Sequence, residues 1–166
     1  LLLVLTGKSQ VLFESFDSPA FPPTGWVNTH TTGADASAVW ERATTGALGG
    51  DVNGSGFFVD PHSGAGMATF RSYDFADGNG AFLASPLVNL AGRGAQIVTF
   101  WMYRDDGHTE ADSVSVYINT AKSLAGAGFL GKVQRYIGNN PAESDAAGWY
   151  KYSFPISLNY NTAINY

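Results

Sequence analysis

Short apolar runs alternate with clusters of Gly, Asn, Asp, Ser and Pro along the whole chain. Strands bounded by turn residues read this way, and many short ones in succession predict an all-β antiparallel sandwich. A first strand is expected over residues 11–16, followed by a turn-rich loop at 21–25 that delivers Trp26. Residues 29–38 are small and polar and read as loop, 39–42 as a short strand, and 46–56 as a long Gly-rich loop. Further short strands fall at 57–59, 68–71 and 81–85. The clearest strand is 96–103, whose two faces are Ile97, Thr99, Trp101, Tyr103 and Val98, Phe100, Met102. Both faces are mostly apolar, which predicts a central strand covered on both sides. Residues 113–119 alternate cleanly, with Val114, Val116 and Ile118 on one face and Ser113, Ser115 and Tyr117 on the other. That is the pattern of a half-exposed antiparallel strand. Residues 103–112 would join these two as a polar hairpin loop, and 129–137, 149–156 and 162–166 complete the set. Residues 121–127 have room for one helical turn, which Gly126 and Gly128 limit.

The two ends read differently from the middle. Leu1-Leu2-Leu3-Val4-Leu5 followed by Thr6, Gly7, Lys8 and Ser9 matches the tail of a secretory signal segment with cleavage before Gln10. The competing reading is a strand, because branched apolar residues also pair in sheets. The run is too short to span a bilayer, which takes about 20 apolar residues. The expected organisation is therefore a signal remnant at 1–9 and one β-sandwich domain at 10–166. Ala163-Ile164-Asn165-Tyr166 reads as the inside of a strand, so a closing strand or two is expected to be missing from the domain.

Composition narrows the function classes. The 166 residues are 45% hydrophobic and only 14% charged, with 20 Gly and 7 Pro, which excludes a helix bundle and overall disorder. A net charge of -5 without a Lys/Arg cluster argues against nucleic acid or an anionic membrane as partner. The absence of Cys removes disulfides, zinc–thiolate sites and thiol nucleophiles.

Catalytic motifs are missing. There is no HExxH, no Walker A and no GxGxxG, and Asn53-Gly54-Ser55-Gly56 lacks the first Gly of a nucleophile elbow. Paired-carboxylate chemistry needs only two acids about 5–10 Å apart, but the four Glu all lie in or beside loops. Oxygen-rich loops are a stronger signal. Asp51-Val52-Asn53-Gly54-Ser55-Gly56 opens like a calcium loop, although His62 stands where an EF-hand needs a bidentate Glu. Residues 74–80 and 105–112 are two more acidic loops, the second containing Asp105 and Asp106. The bland alternative for each is a solvated turn, for which Asp, Asn and Gly are the usual residues. Trp26, Trp40, Trp101 and Trp149, with Tyr103 and Tyr150, are rings able to stack on a sugar. Large aromatics also dominate small cores. Trp40 and Trp101 are expected in the core, and Trp26 and Trp149, beside Gly in turns, at the rim.

Several segments taken in order resemble one family. Val11-Leu12-Phe13-Glu14-Ser15-Phe16-Asp17, then Phe21-Pro22-Pro23-Thr24-Gly25-Trp26, resembles the opening of bacterial choice-of-anchor J and cleaved-adhesin domains, MAM-like jelly rolls of secreted Bacteroidetes proteins. Ala81-Phe82-Leu83-Ala84-Ser85-Pro86-Leu87-Val88-Asn89-Leu90 resembles their A-x-L-x-S-P signature. Val98-Thr99-Phe100-Trp101, Asp112-Ser113-Val114-Ser115-Val116 and Gly148-Trp149 are similar to later strands of the same family. The cysteines of animal MAM domains are absent, so the likeness is to the bacterial branch; the family's closing strand is a second departure, expected to be missing beyond Tyr166. The resemblance implies a jelly-roll sandwich, galactose-binding-like in architecture, acting as a non-catalytic adhesion module at the cell surface or outside the cell. It also implies structural calcium, for which it marks Glu14 as a ligand beside the loop candidates Asp51 and Asn53.

The expected ligand is a glycan or an extracellular host protein, met by Trp26, Asp105, Asp106 and Trp149. No nucleic acid and no membrane insertion of the mature domain are expected. The alternative is an accessory or catalytic domain of a secreted hydrolase, glycanase or peptidase, in which Glu14 or Asp106 would face a second acid. A plain structural spacer is the third reading.

Overall fold

A computed structural model describes residues 10–44, 46–47, 58–105, 112–139 and 146–166. The chain is all-β, and no α-helix occurs among the described residues. The strands are β1 (Val27–Thr32), β2 (Glu41–Ala43), β3 (Gly46–Ala47), β4 (Phe58–Val59), β5 (Met67–Thr69), β6 (Gly80–Ala84), β7 (Gln96–Arg104), β8 (Ser113–Ile118), β9 (Gly128–Gln134) and β10 (Gly148–Ile156). Every ladder is antiparallel, and the pairings are nested. β3 pairs with β4, β2 with β5 outside them, and β1 with β6 outside those. The second half repeats the scheme, with β8–β9 inside β7–β10.

Several expectations are corrected. Residues 11–16 form no strand. Phe16 takes a left-handed backbone (φ 60°), which breaks the extended run, and its carbonyl is taken by the Arg42 guanidinium instead of a ladder partner. Phe13 is left 72% exposed. Residues 27–32, read mostly as loop, are strand β1 paired with β6. Their Thr side chains suit a pleated surface whose outer face is wet. Residues 121–127 are bends and a turn, not a helical turn. β7 pairs with β10 and not with β8, so 103–112 does not close a β7–β8 hairpin. Residues 162–166 form no strand; Asn165 bridges Val88, and Tyr166 exchanges main-chain bonds with Asn119. Residues 1–9 lie outside the described residues, as does most of the 46–56 loop.

Among the described residues the buried apolar side chains are Ala38, Val59, Met67, Leu90, Ile118 and Val133. Around them pack half-buried aromatics. Phe100 on β7 stacks with Phe154 on β10 at 5.8 Å and meets Tyr152 at 6.1 Å. Gly131 on β9 lies under the Phe154 ring and Gly128 under Tyr160, so the β8–β9 ladder rests against the inner side of β10 where it carries no Cβ. A close approach of this kind is a recognised reason for Gly inside a strand.

Buried polar groups tie the ends together. Arg104, fully buried at the end of β7, donates from Nε to the Gln134 carbonyl (2.8 Å) and from an η nitrogen to the Tyr136 carbonyl (3.0 Å). This ties the end of β7 to the end of β9 and the residues just past it. Asn165, also buried, donates to the carbonyls of Thr162 and Val88. Arg42 donates to the carbonyls of Phe16, Asp17 and Ala65, fastening the strandless N-terminal stretch to the 60–66 segment.

Candidate functional site

Strand alternation puts Ile97, Thr99, Trp101 and Tyr103 of β7 on one face of the β7–β10 ladder. The register sets Pro155, Ser153, Lys151 and Trp149 opposite them in that order. This is the outer face: Ile97 is 62% and Trp101 43% exposed, and Thr99, Lys151, Ser153 and Pro155 are exposed as well. The reading of β7 as covered on both sides, with Trp101 in the core, is thereby corrected. Only the Val98, Phe100, Met102 side is turned inward. Trp40 does pack inside, 5.9 Å from Phe70, with its indole N–H on the Ala81 carbonyl.

The outer face is an aromatic cluster. His62 stacks on Trp101, with centroids 3.9 Å apart and planes 19° from parallel. Trp149 meets His62 edge-on at 5.8 Å and Tyr103 edge-on at 5.7 Å. Edge-to-face contacts of this kind orient rings through their quadrupoles. Polar groups flank the rings: the hydroxyls of Thr99 and Ser153 stand 3.2 Å apart across the ladder, and Lys151 is the cross-strand neighbour of Trp101.

His62 comes from the segment between β4 and β5, which is fastened at both ends. The Trp149 indole N–H donates to the Asp60 carbonyl at 3.1 Å. At the other end, the Ala65 N–H donates to Asp17 and the Ala65 carbonyl accepts from Arg42. The Ala65 N–H, with the Ser15 hydroxyl, holds the Asp17 carboxyl below its ordinary range. At Gly64 a left-handed backbone lets the turn pass over the Asp17 carboxylate, where a Cβ would collide. The rings are therefore held in place before any ligand arrives.

Of the residues expected to bind ligand, Trp149 lies in this cluster. Trp26 does not; it packs edge-on against Phe16 at 5.7 Å. Asp105 is paired with Arg135, which also reaches Asp112 at 3.3 Å, and Ser72 donates its hydroxyl to the same Asp112 carboxylate at 2.9 Å. Asp105 thus serves an ion-pair network at the end of β7. Asp106 lies outside the described residues, as do Asp51 and Asn53. Glu14 accepts the Phe16 N–H at 2.7 Å and so braces the left-handed residue. Among the described residues no three His, Asp or Glu side chains lie close enough to hold a metal ion.

His62 carries no signal in the sequence beyond being a loop histidine. Its place on Trp101 depends on a contact between segments far apart in the chain. No family model, no curated protein and no solved structure matches this chain.

Proposed function

We propose that this chain is a non-catalytic recognition module that holds a glycan on the outer face of the β7–β10 ladder. The observation that carries the reading is Trp101, an exposed indole in the middle of a strand face, steadied by His62 and neighboured by Trp149 and Tyr103. A pyranose presents an apolar face of C–H groups to such a ring and a rim of hydroxyls to side chains such as Thr99, Ser153 and Lys151. The flatness of a strand face suits an extended saccharide that lies along it. Preorganised rings avoid the ordering cost that weakens flexible sites.

The reading includes a jelly-roll sandwich and an adhesin-like role in a secreted or surface-held protein. The nested pairings support the first part, since a jelly roll is a long antiparallel ribbon folded over on itself. The contact of Gly131 with Phe154 supports face-to-face layers.

The test is a glycan array followed by titration calorimetry on the hits. Trp101→Ala is expected to weaken binding by about 30-fold or more, the loss typical of a central aromatic anchor. Tyr117→Ala, which removes an exposed ring paired with Phe129 on the β8–β9 ladder, is expected to leave binding unchanged. Silence of the whole array, or equal binding by Trp101→Ala, would overturn the proposal.

A further inference from the structure

We infer that the glycan taken by this face is anionic, with its carboxylate or sulfate held by Lys151 while the sugar ring stacks on Trp101. The inference rests on the recognition reading above and adds the charge of the ligand to it. The outer face of the ladder is formed by eight side chains: Ile97, Thr99, Trp101, Tyr103, Trp149, Lys151, Ser153 and Pro155. Lys151 is the one ionised group among them, on a chain whose net charge is -5. Asp60, in the segment above, accepts the Trp149 indole N–H on its main-chain carbonyl. The His62 imidazole is laid over Trp101 on the same face. Among these eight side chains the charge is therefore positive, on a chain that is negative as a whole.

Among the described residues Lys151 also has no partner. It is exposed and forms no ion pair with any described residue. The described arginines behave otherwise: Arg42, Arg71, Arg93, Arg104 and Arg135 are each spent on carbonyls or carboxylates. A free ammonium beside an exposed indole supplies two complementary contacts, an apolar platform and a charge-assisted donor. An acidic sugar offers both partners on one ring, since its C–H face and its anionic group lie within a few ångströms of each other. A neutral sugar would use the platform and leave the ammonium to water.

The experiment uses matched pairs of ligands. Oligogalacturonate is compared with its methyl ester, and a sulfated galactan oligosaccharide with its desulfated form, by calorimetry on the wild type, Trp101→Ala, Lys151→Gln and Lys151→Arg. In at least one pair the anionic member is expected to bind about tenfold tighter than the neutral one, the strength of one charge-assisted hydrogen bond. Which pair shows it tells a carboxylate ligand from a sulfate ligand. Lys151→Gln is expected to erase the difference, Lys151→Arg to keep most of it, and added salt to shrink it. Equal binding of both members of each pair, with Lys151→Gln silent, overturns the charge inference and leaves glycan recognition standing. An anionic preference that survives Lys151→Gln points to unspecific attraction and overturns it too. Failure of every glycan, neutral or charged, defeats the recognition reading itself.

Discussion

Gly131→Ala is a direct probe of how the two nested ladders meet. A Cβ at residue 131 would collide with Cε1 and Cδ1 of the Phe154 ring. Carbon atoms pack at about 3.5–4.0 Å, so the methyl group would sit more than an ångström inside contact. The ring cannot simply swing aside, because its other neighbour is Phe100, stacked at 5.8 Å with planes 23° apart. Overpacking of this size costs about 1–3 kcal/mol. Replacing a strand glycine by alanine recovers about 0.5–1 kcal/mol of backbone entropy. The net expectation is a loss of about 1–2 kcal/mol, which for a chain of this length lowers Tm by about 2–8 °C. Urea unfolding monitored by tryptophan fluorescence measures it. Phe154→Leu provides the control: if the methyl and the ring collide, the double mutant is less destabilised than the sum of the singles by at least about 0.5 kcal/mol. A Gly131→Ala protein as stable as the wild type, or strict additivity with Phe154→Leu, would refute the close approach of β9 to β10.

Three further outcomes follow from the polar groups. Arg104→Met removes the partner of the half-buried carbonyls of Gln134 and Tyr136 and is expected to cost about 1–3 kcal/mol in urea unfolding. Arg104→Lys should recover little, because an ammonium lacks the planar fork that reaches both. Arg135→Gln removes the shared partner of Asp105 and Asp112, with an expected loss of about 1–2 kcal/mol that shrinks in high salt. Asp17, whose folded pKa is depressed below the ordinary 3.8 by the Ala65 N–H and then the Ser15 hydroxyl, contributes stability that is present above that value. The contribution is lost as pH falls through the folded pKa. Asp17→Asn should therefore lower Tm at neutral pH and reduce the further loss between about pH 4 and pH 2, read by thermal melts across that range.

The strand content was legible because it rests on local alternation. Ser113–Ile118 shows in the structure the in–out order its residues predict, with Val114, Val116 and Ile118 turned in and Ser113, Ser115 and Tyr117 turned out. What failed depends on partners far along the chain. Residues 11–16 have the composition of a strand but donate and accept elsewhere, Phe16 through Arg42 and Glu14. Residues 27–32 have the composition of a loop but find Gly80–Ala84 to pair with. Ladder bonds come from a second segment, and the first segment cannot announce whether that partner exists.

The candidate site was misread for the same reason, and the misreading has a definable cure. On β7 alone, two mostly apolar faces fit a buried strand as well as they fit an aromatic surface, so Trp101 reads as core. The deciding information lies on β10, where Trp149, Lys151, Ser153 and Pro155 alternate with Tyr150, Tyr152, Phe154 and Ile156. That strand has one wet face, and whatever pairs with it must share it. Once the register sets Lys151 against Trp101 and Ser153 against Thr99, exposure of the indole follows from the polarity of its neighbours. A buried Trp101 would require Lys151 to be buried beside it, and an unpaired ammonium is costly in an apolar interior. Exposed rings on β7 and a free ammonium on β10 are thus consequences of one pairing, and the anionic-glycan test probes that pairing as much as it probes the ligand.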